Sequence, residues 1–443
     1  MPRRSVAPSI VLDIRSNQRT GIHRYGTSIV AALNRLRATG GIDLHVLADA
    51  MQLGYLPSAS RRYTLAVAPT PDAFVRRSDW VLEYLAARRP DLYVTTHYSI
   101  DRRIDAPFIH TVHDLSRLRF PEHGYTRESV QRHYGAGEWD VIVDELRALR
   151  EWDDGEHPDD PDRGTFLRYF RAVNRFLAAR ASALATVSHT SRDDMVRLLG
   201  VDPSTVHVVP GGVDHRTFRP QPRRRVREAL EQLGVASPYL LYVGLVGPTK
   251  RFGWLLQTLL EHGVLGRRAA RLVVAGGHAD GREDVHRLLD RHGAEDAVTF
   301  TGYVSDAKLA FLYSGAAAFV VPSLSEGYHL GTAEALACGC EVIAADIPSL
   351  RETAGGRPHF HAVDDAAALA YLCAEALGGR LPRRAAGFQI PTWAATAERL
   401  LSTIRAGLAN ASLINTGLDG APSAIGRLSP RRAAAPPAQR QPF

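Results

Sequence analysis

Lysine is almost missing from these 443 residues. Lys250 and Lys308 stand alone, and the other 52 basic side chains are arginine. A flexible ammonium is not replaceable by a planar fork at every site, so each of the two calls for a reason. Cysteine is scarce too. Cys338, Cys340 and Cys373 do not make a disulfide framework, and Cys338-Gly339-Cys340 lacks the spacing of a zinc knuckle, which leaves small buried residues as their reading. No run of eighteen apolar residues occurs, so no transmembrane helix is expected. The opening MPRRSVAPSIVLDIRS has neither the apolar segment nor the cleavage site of a secretory signal, and the expectation is a cytoplasmic protein.

Two phosphate-binding loops are absent. Gly-x-x-x-x-Gly-Lys-Ser/Thr is not met, and no Gly-x-Gly-x-x-Gly follows a strand, so triphosphate hydrolysis and dinucleotide redox chemistry lose support. A concentrated basic face is absent as well. Much of the formal charge of +7 sits on Arg3, Arg4 and a tail bearing Arg427, Arg431, Arg432 and Arg440, so nucleic acid is not an expected partner.

What is present is a globular composition, 45% hydrophobic and 23% charged, in a chain long enough for two domains. Short β-branched runs at 9–16, 43–49, 91–97, 108–114, 183–189 and 206–212 alternate with helical patterns. A second set follows at 239–246, 271–277, 297–304, 317–323 and 341–346. Runs this apolar read as parallel strands buried on both faces. The expected fold class is α/β, with two doubly wound Rossmann-like domains over 1–214 and 225–390, a linker near 214–225, and ligands in the cleft between them. A helix over 391–408 should cross back onto the first domain, and the Ala-, Pro- and Arg-rich 409–443 reads as a disordered tail. Residues 137–162 carry eleven acids against Arg147 and Arg150, an acidic insertion whose second half reads as a mobile loop.

The stretch SEGYHLGTAEALACGC, 325–340, places Glu326 in a strand-to-helix loop and Glu334 inside the helix that should begin near Leu330. Gly327 and Gly331 allow close backbone approach, and the amides near His329 to Thr332 form an anion site at a helix N-terminus. Carboxylates beside a phosphate site suit hydroxyl donors, so the pair fits the ribose and sugar of a sugar nucleotide. A solvated loop glutamate and an exposed helix glutamate are the plain alternative. Lys250 in YVGLVGPTKRF, just past a strand in the same half, tips the balance, because an ammonium there reaches a diphosphate. His110 and His113, three apart at a strand end, face opposite ways and do not share a metal. Only the position of His113 before Asp114, at the cleft, lifts it above a core histidine.

At these residues the chain resembles retaining glycosyltransferases of the GT-B fold, glycosyltransferase family 4. The Glu-x7-Glu pair, YVGLVGPTKRF, TGYVSDAKLAFLYSGA (301–316), GIHRYG (21–26), HTVHDLSRLRFPE (110–122), ATVSHTSRDDM (185–195) and VHVVPGGVDHRTFRP (206–220) fall in the family's order, over roughly 9–408. The resemblance implies Glu326 on the donor sugar, Glu334 on the ribose and Lys250 on the diphosphate, with Arg251 as its helper. It also implies that Gly327, Tyr328, His329, Leu330 and Gly331 line the phosphates through their backbone. Tyr303 and Val304 would lie by the nucleobase, Gly21 across the cleft near the phosphates, and His113 near the reacting carbon. Three departures stand out: Leu245 where an arginine is common, His23 for a second glycine, and Gly211 for an asparagine. The implied reaction moves a sugar from a nucleoside diphosphate to an acceptor, with no cofactor or metal. GDP is the first base to try, because GIHRY and GPTKRF most resemble users of GDP-mannose-like donors. The acidic insertion suggests a small cationic acceptor of secondary metabolism, such as an antibiotic intermediate. The alternatives are a mannosyltransferase of polysaccharide or glycolipid assembly, a sugar phosphorylase or epimerase on the same fold, and an inactive sugar-nucleotide-binding partner.

Overall fold

The computed structural model describes residues 7–415 except 17–19, 37–40, 59–60, 71–72, 76, 98–99, 156–159, 246, 267–270, 277–281 and 385–388. The tail from 416 onward therefore lies outside the described residues.

Two wholly parallel sheets form the molecule. The first joins β1 (Ser9–Asp13), β2 (Asp43–Ala48), β3 (Thr64–Val67), β4 (Leu92–Thr95), β5 (Phe108–Val112), β6 (Ala183–Thr186) and β7 (Val206–Val208) in the order β3-β2-β1-β4-β5-β6-β7. The second joins β8 (Tyr239–Val243), β9 (Arg271–Ala275), β10 (Val298–Gly302), β11 (Ala318–Val321), β12 (Val342–Ala345) and β13 (His359–His361) in the order β10-β9-β8-β11-β12-β13. Consecutive Ile10, Val11 and Leu12, like Leu240 and Leu241, are fully buried, as strands covered by helices on both faces require. Sequence reading misses β3 and β13. Both are edge strands, and TLAV and HFH are too short and mixed to show a continuous apolar run.

The winding reverses between β1 and β4 in one sheet and between β8 and β11 in the other. Loops leaving the two strands at such a reversal diverge to opposite faces and open a crevice. Strands β8 and β11 pair directly through Leu240↔Ala318 and Leu241↔Phe319, so the loops that follow them, bearing Lys250 and Glu326, emerge side by side.

The final helix, Trp393–Asn415, packs back on the first sheet: Thr396 Oγ donates to Pro210 O at 2.9 Å and Asn410 Nδ2 to Ser182 O at 2.8 Å. It runs past the expected end at 408. Gly407 does not cap it, because that residue packs against Ile109 and Leu92, where a Cβ would lie 3.2–3.3 Å from their side chains. One apolar cluster runs from Ile10 through Val209, Val213 and Phe218 to Tyr239 and Ile404, so the connecting segment belongs to a core shared by both sheets. Among the described residues no helix is long and apolar enough to cross a membrane.

The acidic insertion is helical in its first half. It forms the helix Glu138–Ala148, and Asp160 caps the next helix, Pro161–Arg180, by accepting from the amides of Asp162 and Arg163. Arg168, Arg171 and Arg175 share one helix face by their spacing and reach back to Asp153 and Asp154, while Arg77 and Arg102 hold Glu145. Arginines from outside the segment thus offset part of its negative charge among the described residues.

Candidate active site

The loop after β11 runs along the cleft floor. Glu326 is 9% exposed, and Lys250, closing the one-turn helix Pro248–Lys250 after β8, donates to both of its carboxylate oxygens at 2.6 Å. Burial pushes the Glu326 carboxyl up, but Lys250, with His329 and the Ser323 hydroxyl, outweighs that and leaves it below the ordinary range. Gly327 is demanded by the opposite domain: a Cβ there would lie 2.5 Å from His113 O at the end of β5. The close approach brings His113 and Glu326 to one place.

His329 opens the helix Leu330–Ala337 in a left-handed backbone, φ 59°. The Thr332 amide donates to its Nδ1 at 3.2 Å, so the ring proton sits on Nε2, 3.8 Å from Glu326 Oε1. Burial lowers the His329 pKa to about 4, against the pull of Glu326, and the ring is neutral at physiological pH. The self-capping takes the Thr332 amide out of the expected anion site, leaving the earlier amides of the turn for a phosphate. A strained non-glycine backbone at such a place fits a functional loop held by its surroundings.

Glu334, one turn in, is 2% exposed and engaged from across the cleft. Arg24, on the helix Gly21–Arg35 that follows β1, donates from Nη1 to Glu334 Oε1 and from Nη2 to Asp306 Oδ1 at 2.6 Å. Burial raises the Glu334 carboxyl above its usual range, Asp306 adds to that, and Arg24 opposes it. Close by, Tyr303 OH meets Tyr55 OH of the first domain at 2.9 Å, with Val304 buried beneath. Farther along, Glu352 accepts from the amides of His189 and Thr190 at 2.6 and 3.0 Å, capping a first-domain helix from the second domain. On the other side of Lys250 a cavity of about 2200 Å³ opens between the domains, lined by Arg119, Phe120 and His123 on one wall and Pro248, Trp254 and Asp364 on the other.

The glutamate pair, the lysine and the histidine at the facing strand end thus converge at the crevice where the winding of the second sheet reverses. A model of Glycosyltransferase Family 4 matches residues 21–217, and a model of Glycosyl transferases group 1 matches residues 237–378. The chain belongs to the group 1, family 4 glycosyltransferases. The D-inositol 3-phosphate glycosyltransferase of Kineococcus radiotolerans is 35% identical over 254 residues, 51% of this chain and 57% of that protein. The protein of the same description from Frankia alni is 28% identical over 440 residues, 84% of this chain and 96% of its own. The match spans about half the length of the first such relatives, 57%, 43% and 41%. In fold, the chain is similar to HepE of Anabaena, solved with UDP-glucose, at a TM-score of 0.58 and 16% identity over 92% of this chain and all of that one. The fold is GT-B.

Within this GT-B fold the other anticipated residues divide. Gly21 is exposed at its helix start, with nothing within 4 Å of an added Cβ. His113 donates from Nε2 to Thr96 O at 2.7 Å and meets the Tyr25 ring edge-on, and burial lowers its pKa. His110 is a core residue against Asn174, its pKa lowered to about 4 by burial. Tyr328 and Leu330 fill the space facing Gly211, where a Cβ would lie 2.4 Å from Leu330 Cδ2, so this departure from asparagine has a steric cause. Gly331 sits under Tyr313 OH, 3.1 Å from an added Cβ. Arg251 engages other groups here. Its guanidinium stacks 3.8 Å over Trp254 and bonds Val363 O and Asp364, from a left-handed backbone at φ 52°. Sequence reading misses Arg24, Tyr55 and Glu352. GIHRYG draws the eye to its glycines, and no local pattern says which distant carboxylate an arginine will meet.

Proposed function

We propose that the protein transfers a sugar from a nucleoside-diphosphate sugar to an acceptor hydroxyl with retention at the anomeric carbon. The observation that carries this reading is the Lys250–Glu326 pair, bonded through both carboxylate oxygens at the crevice of a family 4 fold, with Glu334 in the helix that follows. Glu326 accepts from hydroxyls of the donor sugar, Glu334 from the ribose, and Tyr303 with Val304 borders the base. Lys250 swings between its carboxylate and the diphosphate, and the amides of Leu330 and Gly331 add partial positive charge from the helix start. The acceptor oxygen forms its bond to the anomeric carbon as the bond to the diphosphate breaks, and the acceptor proton passes to a leaving phosphate oxygen on the same face. No protein base is required. His113, neutral and fixed to Thr96, orients the sugar rather than taking a proton.

The cavity beside Lys250 is the acceptor's place, and its wall carries both signs of charge. With Glu145, Asp153 and Asp154 of the insertion paired, the cationic acceptor expected from its charge has less support, and a hydroxyl-rich acceptor fits better. GDP remains the first base to try on the resemblance of GIHRY and GPTKRF. The test is turnover with GDP-, UDP-, ADP- and dTDP-sugars against an acceptor panel that includes inositol phosphates, in the presence of EDTA, with the product anomer read by NMR. A retained anomer and no loss on chelation support the reading. Inversion, a strict divalent-ion requirement, or nucleotide-independent formation of sugar phosphate overturns it, and the last outcome favours a phosphorylase.

A further inference from the structure

The residues assigned to ribose and base are already occupied from the first domain. Arg24 bridges Glu334 and Asp306, two carboxylates on different elements of the second domain, and its guanidinium also lies 5.7 Å over Phe218 in the connecting segment. The arginine is half-buried, while Glu334 is among the most buried carboxylates of the chain. A surface ion pair is worth little, but a buried carboxylate that loses its cation is left uncompensated. Arg24 engages Oε1 of Glu334, and a carboxylate has lone pairs on both oxygens, so a ribose hydroxyl can donate to Oε2 without displacing the arginine. The planar fork gives one nitrogen to each carboxylate, a geometry that a lysine cannot copy.

We propose that Arg24 is a donor-site positioning residue supplied by the first domain: its guanidinium holds the Glu334 carboxylate in place for the ribose of a nucleoside diphosphate and joins the two halves of the site across the cleft. The inference rests on the sugar-nucleotide reading of the site. Asp306 stands two residues after Val304, so the same fork also ties the base-side segment to the ribose carboxylate. Ribose affinity then depends on a residue outside the domain that binds the nucleotide.

The experiment compares wild type, Arg24→Met, Arg24→Lys, Glu334→Gln and the Arg24→Met/Glu334→Gln double variant. It reads the Kd of whichever of UDP, GDP, ADP or dTDP binds wild type, the donor KM and kcat, and the melting temperature. Arg24→Met should weaken nucleotide binding and raise donor KM by about 10- to 100-fold with a smaller change in kcat. Arg24→Lys should recover part of the loss. The double variant should be little worse than the worse single one, because the two side chains act as a unit. An Arg24→Met protein that melts lower but keeps its Kd and KM overturns the proposal and leaves Arg24 as a strut between domains. Fully multiplicative effects in the double variant overturn it as well. If none of the four nucleotides binds wild type, the underlying reading of the site falls and this proposal with it. If one binds wild type and Arg24→Met equally, only the role of Arg24 falls.

Discussion

Charge compensation at single residues explains why two buried glutamates in one loop-helix unit behave differently. Glu326 has Lys250 on both oxygens and lies below its ordinary pKa, whereas Glu334 lies above it despite Arg24. Glu326→Ala should therefore abolish turnover with nucleotide affinity largely kept, since the lost contact is to the sugar. Glu334→Ala should weaken nucleotide binding by about 1–3 kcal/mol, and calorimetry on both variants separates the roles. Lys250→Met should lower kcat by on the order of 100-fold or more, the usual loss when a charge-stabilising donor is removed. It also frees burial to push Glu326 up, so the acid limb of the kcat/KM profile should move to higher pH; an unmoved limb would disconnect the pair. The depressed Glu326 contributes stability that is complete above its unfolded value of about 4.3 and is lost as pH falls through its folded value. Glu326, Glu334 and Lys250 are readable in the sequence because each sits in its own local motif. Arg24 is not, since its partner is 310 positions away.

Strands and helices are legible where their apolar pattern is continuous. All eleven strands anticipated from β-branched runs occur, and the two missed ones lie at sheet edges, where burial is incomplete and the pattern fades. The acidic insertion is legible only in part: cations for Glu145, Asp153 and Asp154 come from the next helix and from Arg77 and Arg102, and composition within a window does not include them. Asp153→Asn should consequently cost about 1 kcal/mol of stability, discounted for the part-exposed Arg168, and leave acceptor KM unchanged. A raised acceptor KM with an unchanged melting temperature would restore the acidic-field account. The loop after β11 is a close junction between elements. Gly327→Ala drives a Cβ to 2.5 Å from the His113 carbonyl, backbone against backbone, and should cost about 1–3 kcal/mol together with most of the activity. Melting curves and initial rates measured together check this.

The whole molecule is two parallel sheets whose winding reversals face each other across a cleft, joined by a shared apolar core and by the returning C-terminal helix. Arg24–Glu334 and Tyr55–Tyr303 draw one end of the cleft together, while a cavity opens beside Lys250 at the other. That polarity follows from which strand carries which loop, and the sequence shows the strands but not the contacts between domains. The central claim is that the crevice between β8 and β11 binds a nucleoside diphosphate through Lys250. Its most direct test is the melting temperature of wild type and Lys250→Met with saturating GDP, UDP, ADP or dTDP in EDTA, because a ligand of the folded state stabilises it by mass action. At least one nucleotide should raise the wild-type melting temperature by several degrees, and Lys250→Met should lose most of that rise. No shift with any of the four, or an equal shift in Lys250→Met, would contradict it.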